Sequence, residues 1–327
     1  MNESVTLKDK IKSMFASENL SKVLSVASIV ILILIFTGIN PSFLVSRNIT
    51  NILEAMSPLL VMACGVAFVL MLGSIDLSIG AVVSFSAVML TVLFDVVGPT
   101  AYIFVVLYGI FAGLLNGVIH TYLKIPSFIA TLCTLSVWQS AALILSGAQP
   151  LPIFPPMWPY IDWFRIRFGV VPVIFLIALA FMAIYSLINA KTKQGRTVLA
   201  SGSSEKAARL IGLNIPKAKM IAFTLSGLAA SVAGIMFAAM LKSGIPTVGA
   251  QYTLMAVASA ALGGVALSGG RGAIPMTVIG AMLITIIQNG MNVIAVDGYW
   301  QQIVFGALVL TAIFMNSNRS LRNLIVK

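Results

Sequence analysis

The chain has few of the residues on which most enzymes depend. Charged residues make up 9% of its 327 positions, and it contains nine acidic residues, two cysteines and one histidine. Cys64 and Cys133 both fall within apolar stretches, so neither a structural disulfide nor a metal site has support. His120 ends an apolar run, and no Ser-His-Asp arrangement or carboxylate pair stands out. The sequence therefore predicts that the chain is not an enzyme.

The chain also lacks a phosphate-binding loop, because it contains no Gly-Lys dipeptide. A P-loop ATPase needs the pattern G-x-x-x-x-G-K-[ST], so that class is excluded. Acids near apolar runs are scarce too, with Glu54 and Asp76 as the two candidates. Ionisable residues at membrane depth mark ion or proton pathways in ion-coupled carriers, and two are few for such a carrier. If the chain moves a solute, we expect the energy to come from elsewhere.

What the chain has in abundance is apolar residues, which make up 59% of it. A membrane span needs about 20 mostly apolar residues. We predict an all-α polytopic membrane protein with about ten transmembrane helices, near residues 23–40, 51–72, 79–97, 99–120, 126–146, 169–190, 218–241, 252–268, 273–294 and 299–316. The predicted organisation is a cytosolic N-terminal segment (1–22), a transmembrane domain (23–316) with a polar loop at 191–219, and a cytosolic tail (317–327).

The distribution of positive charge predicts the orientation of these spans. With ten spans and the N-terminus inside, 16 of the 20 Lys and Arg residues fall in cytosolic segments and 4 fall outside. This bias is the positive-inside rule, so we expect both termini in the cytosol. The same bias explains the net charge of +11 as a consequence of membrane topology. We therefore predict no nucleic-acid partner.

Two similar glycine-bounded segments interrupt the apolar runs. Residues 73–80 read GSIDLSIG and residues 263–270 read GGVALSGG, which both fit G-x-[IV]-x-L-S-x-G. In the first, Asp76 and Ser78 can accept hydrogen bonds from the helix start that follows, as in a capped turn between helices. The alternative is a broken helix that lines a solute path, where irregular backbone is tolerated. The second segment could be the trace of an internal repeat.

Small and polar residues inside the spans also leave alternatives open. Small residues recur every fourth position at 109–117 and at 226–234, which favours close helix packing within one subunit over a contact between subunits. The amides of the spans can bond to one another or offer donors and acceptors to a neutral, hydroxyl-rich solute. The candidates for the solute path are Ser74, Asp76, Ser78, Asn116, Gln288 and Asn289. The aromatic-rich segment 147–168 is either an interfacial belt or a docking or gating surface.

The polar loop 191–219 carries seven positive charges and contains a predicted short helix at 203–212. Ser203 and Ser204 supply hydroxyl caps, and Glu205 lies in the first turn, where the helix dipole favours an acid. Gly212 ends the helix. Because two turns are not stable alone, this helix needs a partner surface, which is either lipid headgroups or another protein.

Four motifs in order resemble the ribose/xylose/galactose-type permeases of ABC importers, over residues 40–316. GSIDLSIG resembles their G-G-I-D-L-S-x-G signature, although Ser74 stands where that family usually has Gly. GLLNG (113–117) with IPSFIATL (125–132) is similar to their G-x-x-N-G and P-x-F-I-x-T-L block. The stretch 192–212 resembles their cytosolic loop, with Ser203 and Ser204 where Asn commonly follows the Gly. GGRG (269–272) and Asn289-Gly290 complete the set.

The resemblance implies an inner-membrane permease subunit that imports a monosaccharide or similar small polyol. Its implied partners are a cytosolic ATP-binding subunit that holds ATP and Mg, a second permease subunit and an external solute-binding protein, with no cofactor in this chain. Residues 203–212 would be the coupling helix, with the ATPase-coupling residues Ser203, Ser204, Glu205, Lys206, Ala207, Ala208, Arg209 and Gly212. Alternatives are another cargo (a nucleoside, a furanone-type signal or a branched amino acid) or an ion-coupled secondary carrier. The sugar itself is not predicted.

Overall fold

The computed structural model describes residues 17–316, with side chains over residues 27–311. Most of the predicted segment 1–22 and the whole tail 317–327 lie outside the described residues. The helices are α1 (Ser17–Ile39), α2 (Ser46–Met71), α3 (Ile79–Val97), α4 (Ala101–Thr121), α5 (Ser127–Ser146), α6 (Trp158–Ile161), α7 (Val173–Lys191), α8 (Lys193–Ser203), α9 (Glu205–Leu210), α10 (Ile215–Leu241), α11 (Tyr252–Leu262), α12 (Thr277–Val293) and α13 (Gly298–Asn316).

The described residues also contain two short antiparallel strand pairs, of which the second is a hairpin. β1 (Leu151–Pro152) pairs with β4 (Ser243–Gly244), and β2 (Arg167–Phe168) pairs with β3 (Val171–Pro172). Everything else that is regular is helical, so the predicted all-α membrane fold is confirmed. Among the described residues, six helical segments are long and apolar enough to cross a membrane: Ser46–Met71, Ile79–Thr121, Ser127–Ser146, Val173–Lys191, Ile215–Leu241 and Ile274–Val293. Ile79–Thr121 contains both α3 and α4, which the short turn Gly98–Thr100 joins.

Helices α2 and α10 form the centre of the bundle. Every residue of α2 from Met56 to Met71 is buried, and α2 packs against α7, α10, α11 and α12. A helix that is apolar on all sides can be enclosed in this way. Few residues of helices α5 and α7 are buried instead, and large apolar side chains such as Ile144 and Leu187 are exposed on them. These outer faces suit contact with lipid.

Glycines allow α4 and α10 to pack closely. A Cβ on Gly113 would meet the backbone of Phe223 and Thr224, and a Cβ on Gly227 would meet the backbone of Gly109 and Gly113. Backbones that touch in this way need small residues at the contact. The prediction that the small-residue face of α4 packs within the chain is therefore confirmed.

The eighth predicted run, 252–268, is helical only as far as Leu262. Beyond it the chain is irregular, and Gly264, Gly269 and Gly270 have φ of +88°, +85° and +75°. Side chains other than glycine rarely adopt such angles, so the glycines end the helix and shape this segment.

Candidate functional site

A buried carboxylate, Asp76, lies in the irregular segment between α2 and α3 and is 1% exposed. Its Oδ1 accepts hydrogen bonds from Ser78 N (3.0 Å) and from Ser78 Oγ (2.6 Å). Its Oδ2 accepts from Ser226 Oγ of α10 (2.7 Å). Donors therefore satisfy both oxygens, as a buried charge requires.

The network continues from Asp76 to the neighbouring helices. Ser78 Oγ accepts from Asn116 Nδ2 of α4 (2.8 Å), and Asn116 Oδ1 accepts from Thr134 Oγ1 of α5 (2.7 Å). One acid and its neighbours thus join the irregular segment to α4, α5 and α10. Among the ion pairs of the described residues, none involves Asp76, so hydroxyls and amides hold this carboxylate and no cation does.

Backbone groups of the irregular segment bond to the start of α5. Ile75 N donates to Ser127 Oγ (3.2 Å), and Leu77 N donates to Thr131 Oγ1 (3.2 Å). These bonds satisfy amides that have no helical partner, which is a requirement for irregular backbone inside a membrane protein. Asp76 does bond to the start of α3 through Ser78 N, but Ser78 itself makes no side-chain cap. The segment is therefore a side-chain-anchored break between two helices, in which Ser74, Asp76 and Ser78 are buried while Gly73 and Ile75 are exposed.

The structure brings four of the predicted path residues together and separates the other two. Asp76, Ser78 and Asn116 share one network, and Ser74 is buried in the same segment. The sequence reading did not assign Ser226, Thr131 and Thr134 to this network. In the sequence, Ser226 was identified only as a small residue and Thr131 only as part of a motif. The sequence does not indicate which residues on separate helices form hydrogen bonds with each other.

Gln288 and Asn289 lie elsewhere, on α12. Asn289 and Asn48 of α2 exchange two hydrogen bonds, of 2.8 and 3.0 Å, between their amides. Asn289 therefore has the predicted role of an amide satisfied by another amide. Gln288 instead lines a cavity of about 610 Å³ between α11, α12 and α13. The other polar lining residues are Gln251, Tyr299, Gln301 and Gln302, and the lining contains no charged side chain.

The second acid considered for an ion pathway, Glu54, has a different environment. Its Oε1 accepts from Arg167 of β2, at 2.9 Å from Nη2 and 3.2 Å from Nε. The pair is partly exposed. Glu54 is thus an ion-pair partner for the β2–β3 hairpin.

The aromatic segment 147–168 is anchored through the residue that ends α10. Lys242 Nζ lies 2.9 Å from Asp162 Oδ1 and 3.6 Å from the centre of the Trp158 ring. Trp158 Nε1 donates to Ile153 O (2.8 Å). These contacts fix the segment as an ordered cap over α3, α4 and α10.

The polar loop 191–219 contains two helices, of which the sequence predicted one. The unpredicted helix is α8, where the Thr192 side chain accepts from Gly195 N at the N-terminus. The predicted helix 203–212 is shorter than expected and spans Glu205–Leu210. Ser204 caps it by accepting from Ala207 N (3.2 Å), whereas Ser203 ends α8 and is not a cap. The two adjacent serines could not be distinguished by sequence because either hydroxyl could serve as the N-cap.

The C-terminus of α9 closes as predicted. Gly212 has φ of +75°, Leu213 N donates to Ala208 O (3.1 Å), and Gly212 N donates to Arg209 O (3.1 Å). This is the Schellman arrangement, in which a left-handed glycine satisfies the last carbonyls of a helix.

Ion pairs and exposed apolar groups characterise the surface of α9. Glu205 bonds to Lys219 (3.0 Å) and to Arg209 (3.2 Å), and the hydrogen bond from Lys219 is the main reason why its pKa is lowered. Ala208 is buried, but Leu210 is 89% and Ile211 74% exposed. Lys206 and Ala207 are exposed as well. The helix therefore presents two large apolar side chains on a basic segment.

Comparisons with known proteins agree over nearly the whole chain. A family model described as "Branched-chain amino acid transport system / permease component" matches residues 48–313. The ribose import permease protein RbsC of Escherichia coli (strain K12) is 32% identical over 300 residues, which are 90% of this chain and 93% of that protein. RbsC of Bacillus subtilis (strain 168) is 34% identical over 293 residues, 89% of this chain and 91% of that protein.

A third relative is the L-arabinose transport system permease protein AraH of E. coli (strain K12), which is 32% identical over 287 residues, 84% of each chain. No solved structure matches the chain. These matches confirm the resemblance to sugar-type ABC importer permeases that the four motifs indicated. The chain belongs to the family of ABC transporter permease components, and is a multi-pass inner-membrane protein that is not itself an enzyme.

Proposed function

We propose that this chain is the membrane-spanning permease subunit of a binding-protein-dependent importer for a monosaccharide or similar small polyol. The matches cover 84–93% of the length of relatives named for ribose import or L-arabinose transport. ATP and Mg bind to a separate cytosolic subunit, and an external solute-binding protein delivers the sugar. The permease pairs with a second permease subunit, either a copy of itself or a related chain.

The observation that carries the proposal is the exposed apolar tip of α9. Leu210 and Ile211 are the two large apolar side chains of that helix, and both are mostly exposed. A capped helix of six residues with such a tip offers an exposed apolar surface to another protein. The proposed coupling surface consists of Ser204, Glu205, Lys206, Ala207, Arg209, Leu210, Ile211 and Gly212.

Charge supports a cytosolic location for that surface. The loop 191–219 carries seven of the 20 basic residues of the chain. In the proposed topology each of the ten predicted runs crosses the membrane and both termini are cytosolic. Placing α8 and α9 inside then gives 16 inner and 4 outer basic residues, as the positive-inside rule requires. The anchored segment 147–168 lies on the opposite side, where it faces the solute-binding protein.

Substitution of the tip tests the coupling surface. Leu210→Ser with Ile211→Ser removes the apolar contact but disturbs little within the chain, since both side chains are exposed. We expect normal membrane insertion, loss of the ATP-binding subunit on co-purification and loss of sugar uptake. Lys193→Ser is the matched control and should retain both, because Lys193 is exposed but lies on α8, outside the proposed coupling surface. Full uptake with a bound ATPase subunit in the double variant would overturn the assignment.

A branched amino acid is the second candidate cargo, because the matching family model is described by branched-chain amino acid transport. Uptake of labelled ribose, arabinose and leucine by vesicles that contain the assembled importer decides between these cargoes. Sugar uptake that requires ATP supports the proposal. Uptake of leucine alone would show that the cargo is a branched amino acid and not a sugar. Uptake by the purified chain without ATP would show that the chain is a secondary carrier.

A further inference from the structure

The two glycine-rich segments that the sequence singled out meet in the structure. Gly270 N donates a hydrogen bond to Met71 O (2.8 Å), at the end of α2. A Cβ on Gly73 would lie 3.1 Å from Ser268 O, and a Cβ on Gly269 would lie 2.6 Å from Gly73 N. Segments 73–80 and 263–270 are therefore in backbone contact at Gly73 and Gly269. This contact explains why glycine occupies both positions.

The end of α8 is the third member of this contact. Ser203 Oγ donates to Leu199 O (3.1 Å) of its own helix and to Gly270 O (3.3 Å). Gly202 has no room for a side chain, because a Cβ there would collide with Met71 O and Gly270 N. Gly269 would in turn meet Gly202 O. We call this contact of residues 71–73, 202–203 and 268–270 the three-segment junction.

The junction connects the two parts of the molecule already described. On one side, Ser203 directly precedes Ser204, the cap of α9. On the other, Gly73 is three residues from Asp76, whose network bonds to α4, α5 and α10. No flexible linker intervenes, because Gly73 N and Ser74 N donate to carbonyls of α2, and Ile75 N and Leu77 N donate to hydroxyls of α5. Rigid, hydrogen-bonded contacts of this kind can carry a displacement between distant sites.

We propose that Gly202 and Ser203 are positioning residues that transmit movement of the coupling surface to the Asp76 segment through Gly270. When a partner displaces α9, the end of α8 moves with it. Direct backbone contact with Met71 and Gly270 then moves the break between α2 and α3, and with it the helices tied to Asp76. This inference rests on the proposed function, because it requires that α9 is the surface on which the ATPase subunit acts.

The test measures ATP hydrolysis and sugar uptake separately in the assembled importer. Gly202→Ala inserts a methyl group into the junction without touching the exposed face of α9. We expect the ATPase subunit to remain bound and ATP to be hydrolysed, while sugar taken up per ATP falls by about two- to thirtyfold, the range for changes along a coupling route. Gly306→Ala is the matched control, because a Cβ there meets nothing within 4 Å.

Ser203→Ala is a second variant that tests the same proposal if Gly202→Ala does not fold. Its side chain is exposed, so the substitution removes only the hydroxyl contacts with Leu199 O and Gly270 O and leaves the fold intact. We expect a smaller fall in the same ratio and recovery in Ser203→Thr, which retains the hydroxyl. A merely structural role would lower uptake and ATP hydrolysis in proportion, or change neither, and either result would overturn the proposal. Failure of the proposed function looks different, since it appears as normal uptake in the Leu210 and Ile211 double variant.

Discussion

Replacement of Asp76 tests whether hydrogen-bond acceptors, and not charge, hold the break between α2 and α3. Asp76→Ala removes three hydrogen bonds of 2.6–3.0 Å, which come from Ser78 N, Ser78 Oγ and Ser226 Oγ. Side-chain hydrogen bonds in membrane proteins average about 0.6 kcal/mol and reach about 1.7 kcal/mol. The loss of three therefore lowers the free energy of unfolding by about 2 to 5 kcal/mol, the upper end being favoured because all three donors stay buried.

Asp76→Asn should behave differently. The amide oxygen can accept both hydrogen bonds from Ser78, and the amide nitrogen can donate to Ser226 Oγ, because a hydroxyl accepts as readily as it donates. We expect a loss under about 1 kcal/mol. The assay is reversible denaturation of the purified chain in detergent, followed by circular dichroism, with Asp95→Ala at an exposed position of α3 as control. If Asp76→Asn is destabilised as much as Asp76→Ala, the accounting by acceptors is wrong and the charge itself is required.

Three further predictions concern packing, surface charge and pH. Gly113→Ala should lower the melting temperature because its Cβ meets the backbone of α10, whereas Gly306→Ala should leave it unchanged; equal shifts would contradict the packing argument. A double-mutant cycle between Glu54 and Arg167 should give a coupling of about 1 kcal/mol or less, since the pair is partly exposed; several kcal/mol would show a buried pair. The pKa of Glu205 is lowered below its ordinary value of 4.5, so its ion pairs stabilise α9 above that pH and are lost as pH falls through the lowered pKa. Protease cleavage within 203–212 should therefore be constant from about pH 6 to 8 and rise only in acid; a rise near neutral pH would refute this.

Apolar periodicity and charge were enough to place the helices, because lipid requires long apolar runs with internally satisfied backbone. Each of the ten predicted runs contains a helix, and the small-residue ladder of α4 identified its packing face. Helix α8 was missed because it is short and mostly polar, so it contains no long apolar run. Its buried face consists of Gly195, Thr197, Val198 and Ser201, of which Val198 is the only aliphatic residue.

Contacts between distant parts of the chain could not be predicted. Asp76 and Ser78 were identified as acceptors from their spacing, but their partner Ser226 lies 150 residues away from Asp76. Likewise, Glu54 was considered for an ion pathway, and only the structure shows that Arg167 neutralises it. In both cases the sequence identifies the carboxylate but not the distant residue that binds it.

The complete enclosure of α2 has a consequence for biosynthesis. Its principal neighbours α7, α10, α11 and α12 are all made later, and Cys64 of α2 bonds to Thr277, 213 residues further along the chain. The helix is apolar enough to enter the bilayer on its own. It is therefore surrounded by lipid until more than half of the chain has been translated. Ribosome-bound intermediates that stop before α10 should therefore leave Cys64 open to membrane-permeant thiol reagents, which the finished protein excludes.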